Sequence, residues 1–212
     1  MNGYAYLLDI RQFNASNIEL ASALVTTERR KKAEVYLDRG DRCTSIGAGL
    51  LLQYLLKTYY LGNFVVSYSE TGKPMIIGQK GIFVSLSHSG WYCACAISDT
   101  PIGIDIQQHC GEFPLIINHF FTNVEKIYLE SFPEDERQKQ FYKLWCRKEA
   151  ELKATGVQSI RQTNGISAKK GWVFYDFQFE GASCAIYGKN HVCPHEIPIL
   201  AVDTIVETLA QR

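Results

Sequence analysis

The sequence lacks the features that mark membrane, secreted and nucleic-acid-binding proteins. No apolar run approaches the ~20 residues that a membrane-spanning helix needs. The N-terminus has neither the basic start nor the apolar stretch of a signal peptide. Basic and acidic residues both number 22, so no net charge draws the chain to nucleic acid or to an anionic membrane. These absences predict a cytoplasmic protein.

Disulfide spacing is absent as well. The seven cysteines are an odd number without framework spacing, which favours reduced, buried thiols. His191, Cys193 and His195 are zinc-ligand types, but their spacing is unusual and a fourth ligand is not evident, so a zinc site is disfavoured. Hydrophobic residues make up 46% of the 212 residues, enough for one large domain or two small packed domains.

The order of helix and strand patterns predicts an α+β fold. Both halves run helices first and antiparallel strands next, which suggests a duplicated fold by order alone, because no sequence repeat links them. Residues 83–106 are interpreted as a meander of three strands. The predicted elements are strands at 4–10, 64–68, 83–87, 91–97, 102–106, 172–179, 182–187 and 197–202, and helices capped by Thr26 or Thr27, by Asp41 and by Thr122, with a long helix at 135–155.

Asp105 lies in a segment that alternates like a strand, Ile102-Gly103-Ile104-Asp105-Ile106-Gln107. The alternation puts the three isoleucines on one face and Gly103, Asp105 and Gln107 on the other. Gly103 leaves space for something to approach the strand closely beside Asp105. Taken alone, the segment is more typical of an aspartate on a solvated face than of a metal ligand.

Glu149 interrupts an apolar stripe on the predicted helix at 135–155. A carboxylate on a buried stripe is costly unless it is paired or bound to metal. Lys153 follows one turn later and could pair with it, while Glu151 is predicted to face solvent. The helix alone leaves a metal ligand and an internal ion pair as equal alternatives. The apolar residues that share the stripe are Phe141, Trp145 and Leu152.

Several polar and basic residues suit a phosphate group. Ser87 and His88 lie where a strand runs into a tight turn, and hydroxyl, imidazole and exposed N–H groups all bind phosphate. Such a segment is more often an ordinary hairpin turn. Lys73 lies in another turn, and the run from Arg29 to Lys32, with Arg42 beyond it, concentrates positive charge. Each of these features is usually a solvated surface.

Four short motifs occur in order along residues 72–153. They are Gly72-Lys73-Pro74, then Ser87-His88-Ser89-Gly90, then Ile102-Gly103-Ile104-Asp105, and then Trp145-Cys146-Arg147-Lys148-Glu149-Ala150 with Lys153. Each motif is weak alone, but four in order with similar separations are specific. Together they resemble the 4′-phosphopantetheinyl transferase family, in the larger type that activates peptide and polyketide synthases.

The resemblance implies a fold, a reaction and partners. The fold is a pseudo-dimer of two similar α/β halves, each with a mainly antiparallel sheet packed on helices. Residues 1–100 would form the nucleotide side of a coenzyme A cleft, and residues 101–212 would carry the metal ligands and dock the carrier protein. The enzyme would transfer 4′-phosphopantetheine from coenzyme A to a serine of an apo acyl or peptidyl carrier protein and release adenosine 3′,5′-bisphosphate. The implied protein is a monomer that binds neither nucleic acid nor membrane.

Site residues follow from the resemblance one by one. Asp105 and Glu149 match the family's Mg²⁺ ligands, and Glu149, with Lys153 beside it, would take the proton of the carrier serine. Gln107 stands where many members carry a third acid, so it would be a weaker metal ligand. Ser87 and His88 match residues that hold the 3′-phosphate region of coenzyme A. The cations implied around its phosphates are Arg30, Arg42, Lys73, Lys148 and Lys153.

The segment at 110–121 matches the region where the family docks its carrier protein. Its apolar members Phe113, Pro114, Leu115 and Phe120 would contact the carrier, and the alternative is an ordinary surface loop.

Two other functions remain open at this point. Gln107 leaves room for a coenzyme A-binding protein that lacks transferase activity. Asp105 with Glu151-Leu152-Lys153 imitates the acid pattern of a metal-dependent nuclease. The presence of both predicted metal ligands favours the transferase over the binding protein. A nuclease is disfavoured because its Glu-x-Lys pair usually lies on a strand, and because the chain has no net positive charge for DNA.

Overall fold

The computed structural model of the chain has the predicted α+β fold and describes residues 3–60, 64–69, 72–78, 80–110 and 114–211. In chain order, its elements are β1 (Tyr4–Asp9), α1 (Ala15–Leu24), α2 (Thr27–Glu34), α3 (Arg39–Tyr59), β2 (Val65–Tyr68), β3 (Pro74–Ile77), β4 (Phe83–Ser89), β5 (Tyr92–Ser98), β6 (Ile102–Gln108), α4 (Pro114–Phe120), α5 (Asn123–Glu130), α6 (Glu134–Thr155), β7 (Trp172–Phe179), β8 (Ala182–Lys189), β9 (Ile199–Leu200) and α7 (Val202–Ala210).

The first sheet has the strand order β4-β5-β1-β9 and packs against α3. Helix α3 begins at Arg39 because the Asp38 side chain accepts the N–H of Asp41, so the cap lies three residues before the predicted one. The buried leucines of α3 form the centre of this core together with Cys93 and Cys95 of β5, which confirms that these thiols are structural.

The second sheet has the order β6-β8-β7, with antiparallel pairs, and packs against α6. Strand β6 therefore does not complete a meander with β5, as the sequence predicted, but opens a new sheet. A Cβ atom at Gly103 would lie 1.9 Å from the carbonyl oxygen of Ala150. The close approach that Gly103 permits is thus made by the backbone of α6, which brings the helix onto the strand beside Asp105.

The two sheets meet where β4 lies alongside β6. Serine hydroxyls of β4, rather than its backbone, accept N–H groups of β6, as for Ser85 and Ile104 at 3.0 Å. This seam joins the sheet that carries His88 to the sheet that carries Asp105.

The last described residues return to the first sheet. The strand predicted at 197–202 is limited to β9, which pairs in parallel with β1. Helix α7 was not predicted, and it packs against α1 and α3. Among the described residues, no helix is long and apolar enough to cross a membrane.

Candidate active site between the two sheets

A cleft of about 640 Å³ lies between α2, the turn before β3, strand β4 and the end of α6. No acidic residue lines it among the residues that the structure describes. A water-filled cleft with cations on several walls attracts polyanions such as phosphate esters. The basic side chains of its wall are Arg29, Lys32, Lys73, His88 and Lys153.

Asp105 of β6 is only 2% exposed and does not line the cleft itself, but it is joined to the cleft wall through Lys153. The Nζ of Lys153 donates to its Oδ1 at 2.7 Å, and the hydroxyl of Ser87 donates to the same oxygen at 2.6 Å. The side-chain amide of Gln107 donates to Oδ2 at 3.0 Å. Three neighbouring groups therefore hold a buried carboxylate in one orientation.

Glu149 of α6 lies close to Asp105 of β6. The pKa of Glu149 is raised, first by burial and then by the negative charge of Asp105, while Lys153 opposes the shift. The two carboxylates that the sequence singled out are thus near enough to feel each other's charge.

Oxygen ligands of this kind fit Mg²⁺. Mg²⁺ accepts one or two carboxylates and completes its shell with water and substrate phosphates. In the described part of the chain no three acidic, histidine or cysteine side chains cluster. The donors available are the two carboxylates and the carbonyl oxygen of the Gln107 amide. A divalent cation would also relieve the repulsion that raises the pKa of Glu149.

His88 of β4 lines the cleft among cations. Its pKa is lowered, first by desolvation and then by the positive charges of Arg29, Lys153 and Lys32. The pKa of Lys32 is lowered in the same way, by desolvation and by Arg29. Cations that depress one another's protonation form a site that an anion would stabilise.

Arg29 is a cleft residue that the sequence analysis did not single out from its basic run. It is 5% exposed, and its guanidinium lies 4.8 Å from the centre of the Tyr68 ring. Arg30, by contrast, donates to the carbonyl oxygens of Ser22 and Ala23. Helical spacing could have separated the two arginines, since Arg29 shares a face with the buried Ala33 one turn later.

Arg42 and Arg30 do not line the cleft. Arg42 is exposed and donates to the carbonyl oxygen of Tyr36 at 3.2 Å. The expected position of these two arginines in the cleft wall is therefore corrected, since Arg29 and Lys32 lie there instead, and a contact of Arg30 or Arg42 with coenzyme A stays a prediction.

Lys148 is also corrected as a phosphate ligand. Its side chain is fully buried, and its Nζ lies 2.9 and 3.0 Å from the two carboxylate oxygens of Glu125. The same nitrogen donates to the carbonyl oxygen of Thr163 at 3.0 Å. An ammonium has three donors, and all three are used inside the protein.

Glu151 does not face solvent, as predicted, but is 1% exposed. It accepts the N–H of Asn164 at 2.7 Å and pairs with Lys169 at 3.2 Å. Lys153 instead points to Asp105. The acid and the lysine of the nuclease-like pattern thus serve different parts of the molecule.

The predicted docking segment forms α4 and leads into α5. Leu115, Phe120, Val124 and Ile127 are exposed apolar side chains on these two helices. Phe113 lies outside the described residues, and Pro114 begins α4. Exposed apolar side chains of this kind are typical of a protein-binding site.

Comparison with known proteins identifies the family. A sequence profile described as the 4′-phosphopantetheinyl transferase superfamily matches residues 101–182, which include Asp105 and Glu149. A 4′-phosphopantetheinyl transferase of Bacillus subtilis is 31% identical over 159 residues, covering 74% of this chain and 70% of its own length. The transferase Sfp of Bacillus subtilis strain 168 is 30% identical over the same coverage. The transferase HetI of Nostoc sp. is 32% identical over 148 residues, with 65% and 62% covered.

The relatives extend over both sides of the cleft, and none of the comparisons supports a nuclease. The four motifs that occur in order along residues 72–153 therefore reflect a true relationship to these proteins. The chain belongs to the 4′-phosphopantetheinyl transferase family and is an enzyme of the Sfp type.

Proposed function

We propose that the protein transfers 4′-phosphopantetheine from coenzyme A to a serine of an apo acyl or peptidyl carrier protein. The observation that carries the proposal is a basic cleft whose wall residue Lys153 pairs with Asp105, next to Glu149. Coenzyme A carries a 3′-phosphate and a diphosphate, so its charge matches the wall of this cleft. The phosphoryl group to be transferred would then lie at the acidic end.

The phosphates of coenzyme A would contact the described cations of the wall. Arg29, Lys32 and His88 belong to the first half of the chain and suit the 3′-phosphate. Lys73, whose Nζ donates to the carbonyl oxygen of Lys153 at 3.2 Å, and Lys153 itself suit the diphosphate. Phosphoryl transfer gains most from fixed positive charge around the transferring group.

Asp105 and Glu149 would hold Mg²⁺, with Gln107 as a weaker third ligand. When bound, the ion supplies positive charge that neutralises the diphosphate oxygens. Lys153 would orient the neighbouring carboxylate of Asp105, because it pairs with it at 2.7 Å. Binding here depends on acids from both β6 and α6.

Glu149 would take the proton from the carrier serine. Glu149 is a partly buried carboxylate beside Asp105, and a carboxylate within hydrogen-bond reach of the serine can accept its proton. The serine oxygen forms a bond to the β-phosphorus as the bond to the bridging oxygen breaks. The electron pair leaves with adenosine 3′,5′-bisphosphate, and the serine proton remains on Glu149 until water removes it.

The carrier protein would dock on α4 and α5. Carrier domains are acidic helical bundles, and Leu115, Val124 and Ile127 offer apolar contacts. Phe120 connects this surface to α6, because its ring lies 5.7 Å from the ring of Trp145. The docking helices would thus lie next to the helix that carries Glu149.

The two sheets with their helices would be the halves of a pseudo-dimer, residues 1–100 and 101–212, with α7 crossing back to the first half. Each half pairs a long helix with an antiparallel hairpin, α3 with β4–β5 and α6 with β7–β8. Such an internal pair would act as a monomer. All seven cysteines are unpaired and six are buried, as expected for the reducing cytoplasm.

A transfer assay tests the proposal. The protein is incubated with coenzyme A, MgCl₂ and either an apo acyl or an apo peptidyl carrier protein, and the carrier is weighed by mass spectrometry. The expected result is the mass gain of one phosphopantetheine group, lost in Asp105→Asn and Glu149→Gln. Glu136→Gln, on the exposed first turn of α6, is the matched control and should stay active. Tight binding of coenzyme A without a mass gain on either carrier would contradict transfer and support the binding protein.

A further inference from the structure

Three serines of β4 join the two sheets through their side chains. Ser85, Ser87 and Ser89 alternate along the strand and therefore share one face. Their hydroxyl oxygens accept the backbone N–H groups of every second residue of β6. The pairs of this serine ladder are Ser85 with Ile104 at 3.0 Å, Ser87 with Ile106 at 3.3 Å and Ser89 with Gln108 at 2.9 Å.

Ser87 differs from the rest of the serine ladder because its hydroxyl also donates a hydrogen bond to a carboxylate. Its hydroxyl donates to Oδ1 of Asp105 at 2.6 Å. A hydroxyl has one donor and two acceptor sites, so Ser87 can accept from Ile106 and donate to Asp105 together. It is 7% exposed and, like Asp105, does not line the wall of the cleft. No proton of Ser87 is left for a phosphate oxygen.

The hydrogen bond that Ser87 donates to Asp105 restrains the plane of the carboxylate. Rotation about the last bond of an aspartate is broad and weakly restrained, so the plane of the carboxylate must be fixed by its neighbours. Ser87 is attached to β4 and to the backbone of β6 at once, and it is the most buried of the three donors to Asp105. Partners of this kind commonly set the affinity of a metal ligand.

We propose that Ser87 is a positioning residue that fixes the carboxylate of Asp105 for its cation, instead of the 3′-phosphate ligand that the family resemblance implied. This inference rests on the proposed function, in which Asp105 holds Mg²⁺. His88, the next residue along the chain, points to the cleft and keeps the phosphate role. The serine ladder thus connects the phosphate-binding sheet to the metal-binding sheet through one hydroxyl.

Ser87→Ala and Ser89→Ala form a matched pair for the test. Both remove one hydroxyl that accepts a β6 N–H, so both should lower the melting temperature by roughly 2–4 °C. MgCl₂ is titrated calorimetrically into the complex of each protein with coenzyme A. We expect Mg²⁺ to bind about tenfold to a hundredfold more weakly to Ser87→Ala and normally to Ser89→Ala. Ser87→Cys, which keeps the size but donates weakly, should show the same loss if Ser87→Ala does not fold.

Binding without metal separates positioning from phosphate contact. In EDTA, Ser87→Ala should bind coenzyme A and dephospho-coenzyme A, which lacks the 3′-phosphate, as the wild type does. A folded Ser87 variant with normal Mg²⁺ affinity would overturn the positioning role. A loss of affinity in EDTA that is confined to coenzyme A would overturn it in favour of phosphate contact. If the wild type itself binds no Mg²⁺ with coenzyme A, both this inference and the proposed metal site fail.

Discussion

Lys148 offers the sharpest test of how this site is built, because the family resemblance and the structure give it different roles. Its ammonium is fully buried and lies 2.9 Å from a Glu125 carboxylate that is itself 2% exposed. Glu125 also accepts the N–H groups of Thr122 and Gly165. Lys148→Met would leave a buried carboxylate with its hydrogen bonds but without its counter-charge. Removing one partner of such a pair costs about 3–5 kcal/mol.

For a chain of this length, that loss corresponds to a melting temperature lower by about 6–20 °C. Lys139→Met, at an exposed position of the same helix, should change stability by less than about 0.5 kcal/mol. The double variant Lys148→Met/Glu125→Leu should recover part of the loss, since it removes the unpaired charge but also the Glu125 half of the capping box at the start of α5.

The assay combines thermal unfolding with calorimetric titration of coenzyme A in the presence of MgCl₂. If Lys148 is structural, the folded variant binds coenzyme A with nearly wild-type affinity below its melting temperature. A variant with an unchanged melting temperature and a tenfold or weaker affinity for coenzyme A would refute the reasoning and restore Lys148 as a phosphate ligand.

Three further predictions concern residues in and near the cleft. Gly103→Ala places a Cβ 1.9 Å from the Ala150 carbonyl oxygen, so α6 must move away from β6. We expect this to lower the free energy of unfolding by about 1–3 kcal/mol or more. Because Asp105 and Glu149 separate, transfer activity should fall by more than the loss of folded protein explains, and a fully active variant would contradict this. His88 has a lowered pKa among cations, so binding of anionic coenzyme A should raise that pKa. Binding should therefore take up a proton and tighten from about pH 8 toward pH 6. The heat of binding should vary with the ionisation enthalpy of the buffer in the wild type but not in His88→Gln, and equal behaviour of the two would exclude His88 as the group that takes up the proton. Gln107→Glu replaces the amide that donates to Asp105 with a second carboxylate, so it should lower the melting temperature without Mg²⁺ and tighten Mg²⁺ binding; an unchanged Mg²⁺ requirement would argue that position 107 is not a ligand.

Local capping residues in the sequence correctly predicted one end of each of the helices α2, α5 and α6. Thr26 caps α2 and Thr122 caps α5 as expected, and Gly156 ends α6 with a φ of 68°. Helix α7 was missed because Ala201 before it provides no side-chain cap. Helix α1 was missed because only Asn17 and Ala21 of it are buried, which leaves little hydrophobic periodicity to read.

Sheet membership could not be read from the same local signals. The pattern at 102–106 is that of a strand, and the structure confirms the strand, but its partner β8 lies about 80 residues further along the chain. The turn at 99–101 resembles a hairpin turn and instead carries the chain from one sheet to the next. Only tertiary packing decides between these two outcomes, because both need the same turn residues.

The site residues divide in the same way. Asp105, Glu149 and Lys153 were singled out as candidates by face and spacing and received their roles from the family resemblance, and the structure brings these three together. The pairing of Lys148 with Glu125 and of Glu151 with Lys169 was not visible, because the partners lie on other elements. A buried charge on a helix predicts that a partner exists but not which residue it is.

A net charge of zero hides a strong separation of charge in this molecule. Glu125, Glu151 and Asp176 are each paired with lysine or arginine at the helices and strands of the second half. The described cations of the cleft wall have one ion pair among them, between Lys153 and Asp105. Neutralising acids elsewhere lets the wall stay basic without an overall field, so the positive charge that suits coenzyme A is confined to the cleft. The proposed function therefore depends less on how many charges the chain carries than on which of them the fold gathers at the cleft.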